Sequence, residues 1–469
     1  MIRFLLAALA FFACTSTTSA SEPVPKESLL APPEKATRYV IVSDTNTHGD
    51  EWRWETEEGA VAFRKSQTLR GWVTETDALV VLGYDGKPLR IRSRGVTPRG
   101  NAAEEMDSDQ NGIRWDSGAD TGTAPPDGGF YLAKGGPGAM VGLLVEHMLD
   151  KGEVQLLPTG TARLRDGGTL AIEDEDGDLE ARLIFIEGLR SAPTPVWVDD
   201  KGQHLASISW MGLIREGYQE HFKTMRKMQE EASQQAAMSV ARRFLTEDAR
   251  RPLLIDNVRL FDADAGRFVE NQAVTTENGK ITAIGPAGSL EVADGGRVLD
   301  GQGKTLVPGL WDSHKHYSDG YDLLANVATG MTSIRSPGNA LDKLVWAKKA
   351  RAAGDLLAPE VFGAIIIDQD HPLSAQGASL VSSEEETVAA VQKAADAGLW
   401  GVKFYTSMNP EWIAPAAAEA HRLGLNVLGH VPATMRPLEA VRAGYDEVTH
   451  LNFIIMQDLP QEVVDVSNT

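Results

Sequence analysis

The chain has 469 residues, enough for two or three domains. Hydrophobic residues make up 42% and charged residues 24%, as in soluble globular proteins. A net charge of −21 argues against nucleic acid or an anionic membrane as partner, since both need a basic surface, and the single cysteine, Cys14, rules out an intrachain disulfide.

Residues 1–20 read as a signal peptide: Arg3 is a minimal charged start, and residues 4–13 form an apolar run of signal length. A membrane span would need about 20 apolar residues. Small residues at Thr18-Ser19-Ala20 suit cleavage. A lipoprotein signal ending at Cys14 is the alternative, with Phe11 standing where such signals carry Leu. Either reading predicts an exported, periplasmic protein, tethered by lipid in the second case.

From 34 to 215 the sequence predicts an antiparallel β-rich domain. Short apolar strands at 37–43, 78–84, 89–93, 153–158, 181–187 and 195–199 are separated by turn signals. These signals are Asp85-Gly86, Asp166-Gly167-Gly168, Asp176-Gly177 and Asp199-Asp200-Lys201-Gly202. One helical stretch, 140–150, is expected to pack on the sheet. The run from Asp107 to Gly112 resembles the start of a calcium loop, but Gly118 stands where the bidentate Glu is required, so an exposed turn is the reading taken. The acidic run at 173–178 reads as a hairpin tip. Residues 216–248 are rich in helix formers and predict a connecting helix.

More short strands follow at 251–307, and from 308 the text changes to alternating strands and helices. The first of these strands is expected to end in His314 and His316. Residues two apart on a strand share a face, so both imidazoles could grip one metal ion. Five more strands are expected at 331–335, 359–368, 401–405, 425–430 and 447–450, with helices between them. Lys403, His430 and His450 fall at the C-terminal ends of strands four, five and six, where barrel enzymes keep their chemistry. Taken singly, a strand-end lysine is a solvated charge and a lone histidine a satisfied polar residue. Four histidines and a lysine at successive strand ends form a constellation.

On these residues, and on the stretches GMTSIRSPG, GVKFYTSMNPEW, AEAHRLGLNVLGHVP and AGYDEVTHLNF, the chain from Leu253 onward resembles the metal-dependent amidohydrolase superfamily, in its imidazolonepropionase-like and prolidase-like branch. The resemblance implies an α/β fold: a (β/α)8 TIM-type barrel, of which about six units lie in 308–469, beside part of a β-sandwich at 251–307. The N-terminal β domain lies outside the resemblance. His314 and His316 would hold one of two divalent ions, most simply Zn2+, and His430 and His450 the other, with Lys403 carboxylated as the bridge. Imidazole suits zinc, and a carbamate oxygen is a hard bridging ligand. Two cations beside one water would lower its pKa and supply hydroxide to attack a carbonyl.

Tyr405, Arg335 and His371 are candidates for contact with a small amide or peptide-like substrate. Pro432 stands where prolidase-like members often carry a substrate-binding Tyr, which speaks against dipeptide hydrolysis. The family also uses a catalytic Asp at the end of strand eight. A barrel takes about 250 residues, so the sequence is expected to be a C-terminally truncated fragment that lacks this Asp. The function expected of the full protein is hydrolysis of an amide or cyclic amide C–N bond. The alternative is a catalytically incomplete metal- or ligand-binding envelope protein.

Overall fold

The computed structural model of the chain describes residues 24–44, 46–173 and 179–464. The expected leader with Cys14 and the Asp176-Gly177 turn lie outside the described residues. Among the described residues no helix is long and apolar enough to cross a membrane.

The N-terminal part is one sixteen-stranded sheet, almost wholly antiparallel. Its first strand, Thr37–Val42, pairs with its last, Gly212–Arg215, with Tyr39 opposite Arg215. The helix Val141–Met148 packs on one face through Leu143, Leu144, Val145 and Met148. A longer helix, Phe222–Ala241, covers the other face with Phe222 and Met225. Turns fall as expected at Asp85-Gly86 and across Asp199 to Gly202.

One local expectation is corrected and a second is refined. Asp166-Gly167-Gly168 is not a turn: it lies inside the strand Thr161–Ile172 as a bulge, where the register against Leu179–Glu187 slips by one residue. Glycine tolerates such a kink, and a Cβ at Gly167 would run into Leu183 and Phe185. The calcium-like run holds an exposed turn, as expected: Gln110 and Asn111 join the strands Glu104–Asp109 and Gly112–Asp116, and Asp109 Oδ1 accepts the Asn111 amide at 2.7 Å. Asp107 is paired with Arg90 at 3.1 Å and Arg92 at 2.6 Å, and is not a solvated turn carboxylate.

A small sheet follows, with strands in the order Lys280–Pro286, Arg267–Glu277, Leu253–Asp262 and Arg297–Asp300, and with Thr305–Leu306 also paired to Leu253–Asp262. The last sheet is parallel. Its main strands run in order Leu310–Asp312, Met331–Asn339, Glu360–Gln369, Gly401–Phe404, Asn426–Gly429 and Glu447–Val448. Helices Gly320–Ala328, Leu341–Ala353, Glu384–Asp396, Pro410–Arg422 and Pro437–Arg442 connect them. Helix Glu384–Asp396 shows why these segments are helical. Ser383 accepts a hydrogen bond from the Glu386 amide, three glutamates fill the first turn, and Thr387, Ala390, Val391 and Ala394 form a buried stripe.

The parallel sheet is strongly curved. His314 follows its first strand and His450 its sixth. On a flat sheet with strands about 4.8 Å apart they would be separated by about 24 Å. Their ring centroids are 4.9 Å apart. Curling brings the C-terminal ends of strands at opposite edges onto one spot.

Candidate active site

That spot collects the residues singled out in the sequence, though not all in the expected way. The first parallel strand stops at Asp312, so His314 and His316 are not alternate residues of a strand. Asp312 Oδ1 accepts the His314 amide at 3.0 Å and turns the chain, and the Lys315 amide donates to Arg335 O of the neighbouring strand. The loop still sets the two Nε2 atoms 3.2 Å apart. His316 Nδ1 meets Gly338 O at 2.6 Å. That contact needs Nδ1 to carry the proton, which leaves the Nε2 lone pair facing His314. Gly338 permits the approach: it has φ +140°, and a Cβ there would lie 2.7 Å from Ile366 and 3.2 Å from His316.

Strand Gly401–Phe404 is buried along its whole length. Val402 and Phe404 point into the helix-packed core, so the intervening Lys403 points the other way, toward the imidazoles. It is 1% exposed and has no ion-pair partner among the described residues. Burial, reinforced by the Arg335 and Arg70 charges, lowers its pKa to about 8. Its Nζ lies 5.5 Å from the centre of the Tyr405 ring.

His430 follows strand Asn426–Gly429 and is buried. Its Nδ1 is 3.1 Å from Thr406 Oγ1, and its ring stacks on Tyr405 with centroids 3.9 Å apart. His450 lies two residues past Val448, at φ +69°, a backbone strain of the kind found at functional sites. Its ring is 4.8 Å from that of His430. Burial, with the Lys403 charge next, lowers the pKa of His314 to about 4 and of His430 to about 2. Both imidazoles are therefore neutral, the form that binds metal.

Do these residues fit a metal ion? Two nitrogens on one tetrahedral zinc lie about 3.3 Å apart for Zn–N bonds of about 2.05 Å. The His314–His316 separation of 3.2 Å agrees with this. Among the described residues, however, no three His, Cys, Asp or Glu side chains form a complete metal-binding group. The donor chemistry and the histidine pair fit, while the wider set is gathered around the pair without closing on a single point.

The three candidate substrate contacts fare differently. Tyr405 faces the site between His430 and Lys403. Arg335 is committed to Glu447 and to Ser313 O. His371 is exposed, its Nδ1 accepting the Leu373 amide in a local turn. Two residues were missed. Asp368, fully buried at the end of the third strand, accepts the amides of Gln369 and Ala375, and burial raises its pKa to about 6. Arg70 comes from the N-terminal sheet and donates to Tyr405 Oη at 3.0 Å. No local signal marks it, because it lies in the turn after the strand Val61–Leu69, whose middle, Arg64 to Thr68, is entirely polar.

No protein-family model matches the chain. Over 63 residues it is 36% identical to adenine deaminase 2 of Shouchella clausii, a stretch covering 13% of this chain and 11% of that protein. Over 203 residues it is 24% identical to enamidase of Eubacterium barkeri, covering 39% and 52%. The chain therefore spans about half or less of the length of the curated relatives it matches. Among solved structures, a putative prolidase from Bifidobacterium longum is 23% identical with a TM-score of 0.37, covering 44% of this chain and 57% of its own. A bottromycin amidohydrolase is 22% identical with a TM-score of 0.38, covering 45% of each chain. The curated matches support the amidohydrolase superfamily.

Proposed function

We propose that the parallel-sheet part of the chain belongs to a metal-dependent hydrolase that cleaves an amide or cyclic amide C–N bond. The observation that carries this reading is the His314–His316 Nε2 pair at 3.2 Å, with the His450 ring beside His314 and buried Lys403 behind. His314, His316, His430 and His450 would hold two divalent ions, with zinc the best match to imidazole. The bound ions would supply water activation and carbonyl polarisation.

The chain's own groups prepare this arrangement. Gly338 O and Thr406 Oγ1 fix the ring orientations of His316 and His430. A lysine with a pKa of about 8 is partly neutral near pH 8, and only the neutral amine adds carbon dioxide to give a bridging carbamate. The apolar run at 4–13 supports export of the protein. Sequencing the N-terminus of the mature protein checks this, since a chain still starting at Met1 rules it out.

The test is metal content by mass spectrometry together with zinc affinity by competition with a chelating dye. The wild-type chain should bind zinc, and His314→Ala and His316→Ala should each weaken binding at least tenfold. Equal affinity in all three would sink the metal-site reading. Turnover of a panel of amides and cyclic amides then addresses the reaction.

A further inference from the structure

Arg70 stands at the tip of a hairpin between strands Val61–Leu69 and Trp72–Leu82 of the N-terminal sheet. It holds φ +51°, a left-handed conformation that costs a non-glycine residue energy. The tip reaches the parallel sheet's site from a region 335 residues earlier in the chain than its contact, Tyr405. There Nη1 donates to Tyr405 Oη at 3.0 Å, and Nη2 to Gln376 Oε1 at 2.7 Å and Ser374 O at 3.5 Å. The guanidinium carbon lies 4.9 Å from the centre of the Tyr405 ring, whose face also stacks on His430.

This guanidinium is under-satisfied. Its Nε is buried and finds no acceptor among the described residues. It makes no ion pair with a carboxylate among them either. Asp368 is the acid whose charge it feels, but that carboxylate already takes two backbone amides. The nearby Lys403 adds a second unpaired cation. A strained, half-buried cation with a spare donor, beside another cation, is an arrangement suited to an anion. Arginine's planar fork matches a carboxylate better than any other side chain does.

We propose that Arg70 is a specificity residue, lent by the N-terminal sheet, that binds the carboxylate of an anionic amide substrate at this site. The inference rests on the hydrolase reading above and extends it: the N-terminal sheet, outside the stretch that resembles the superfamily, would select which amides enter. The guanidinium bonds to Tyr405, and the Tyr405 ring stacks on His430, so a carboxylate bound at Arg70 would lie one aromatic ring away from the imidazoles.

The experiment is titration calorimetry on the full chain with N-acetyl-L-phenylalanine and its neutral amide, N-acetyl-L-phenylalaninamide. Zinc content is measured on the same samples. The wild-type chain should bind the acid at least tenfold more tightly than the amide. Arg70→Met should level the two while leaving zinc content unchanged. Arg70→Lys keeps the charge without the fork, and should cut the preference to about threefold; it carries the test should the methionine variant fail to fold. No preference in the wild-type chain, or a preference surviving in Arg70→Met, overturns the proposal. So does joint loss of zinc and preference in Arg70→Met, because Arg70 would then act through the metal site. A zinc-free wild-type chain instead defeats the hydrolase reading, while the acid–amide comparison still decides the role of Arg70.

Discussion

Arg335 on the second parallel strand reaches Glu447 on the sixth. Nη2 donates to Oε1 at 2.8 Å, Nη1 engages Oε2, and Nε donates to Ser313 O at 2.7 Å. One side chain thus joins two strands four places apart in the sheet and braces the residue preceding His314. Removing the guanidinium leaves a half-buried carboxylate unpaired. Arg335→Met should cost about 2 kcal/mol, less than a fully buried pair because Glu447 keeps some solvent. It should also lower zinc affinity by about tenfold, the usual effect of losing a group that orients a ligand. Arg335→Lys cannot reproduce the fork and should recover little of either. Urea unfolding and zinc competition measure the two effects. Unchanged zinc affinity in Arg335→Met would show the brace to be purely structural.

Lys403 should trade stability for chemistry. Its folded pKa is lowered from 10.5 to about 8, so the fold disfavours the cation. The wild-type chain should gain stability as the pH rises from 8 to 10.5 and lack that gain below 8. A shift of about 2.5 units corresponds to about 3 kcal/mol. Lys403→Met should therefore be more stable than wild type at pH 7 by up to that amount in metal-free buffer, and the advantage should vanish near pH 10.5. Zinc binding should fall sharply in the same variant. Metal-free unfolding at the two pH values checks the first point; a less stable variant at pH 7 would contradict it.

Asp368 predicts an opposite slope at lower pH. Burial raises its pKa from 3.8 to about 6, so its protonated form is favoured in the folded chain. The stability it contributes is fully present below pH 3.8 and is lost as the pH rises through about 6. The shift of about 2.2 units amounts to about 3 kcal/mol. Asp368→Asn cannot titrate. The stability of wild type relative to this variant should fall by up to that amount between pH 4 and pH 7. A constant difference across the window would mean that the carboxylate is better solvated than its burial implies.

Gly338 and Gly377 make a matched pair. Both have positive φ, but an added Cβ meets Ile366 and His316 at Gly338 and open space at Gly377. Gly377→Ala should cost about 1 kcal/mol, the backbone effect alone. Gly338→Ala adds a clash in the core and should cost about 2–4 kcal/mol. It should weaken zinc binding as well, because it pushes on the ring that Gly338 O holds. Equal losses in the two variants would mean that Ile366 yields freely.

The parallel sheet was legible in the sequence because each of its units is local. A short apolar strand, a turn and a helix occupy about 30 neighbouring residues, and six main strands with five helices between them stand in order. His430 and His450 could be placed from that rhythm alone. The histidine pair was found for a partly mistaken reason, since the strand ends at Asp312 and the Asp312 turn, not strand alternation, sets the rings together. The strands Thr47–Glu55, Val61–Leu69 and Glu104–Asp109 were missed, because their charged residues are matched by partners on neighbouring strands. Arg70 was invisible because it sits at the end of one of these missed strands, and because a contact spanning 335 residues leaves no periodic trace.

The helix Phe222–Ala241 carries a single buried stripe: Phe222, Met225, Gln229, Ser233, Ala237 and Ala241. Its first half belongs to the antiparallel sheet, where Gln229 takes the Trp197 indole N–H and gives a bond to Ile208 O. Its second half belongs to the parallel sheet's helices, where Ser233 donates to Asp319 and Ala237 sits against Gly320. Twenty residues thus act as a rigid axle about 30 Å long, shared by two bodies. Neither body can rotate about its linker without stripping this axle of half its packing, so heating should melt both together in one transition. A protease cut in the exposed stretch after residue 241 should leave the two pieces migrating as one particle.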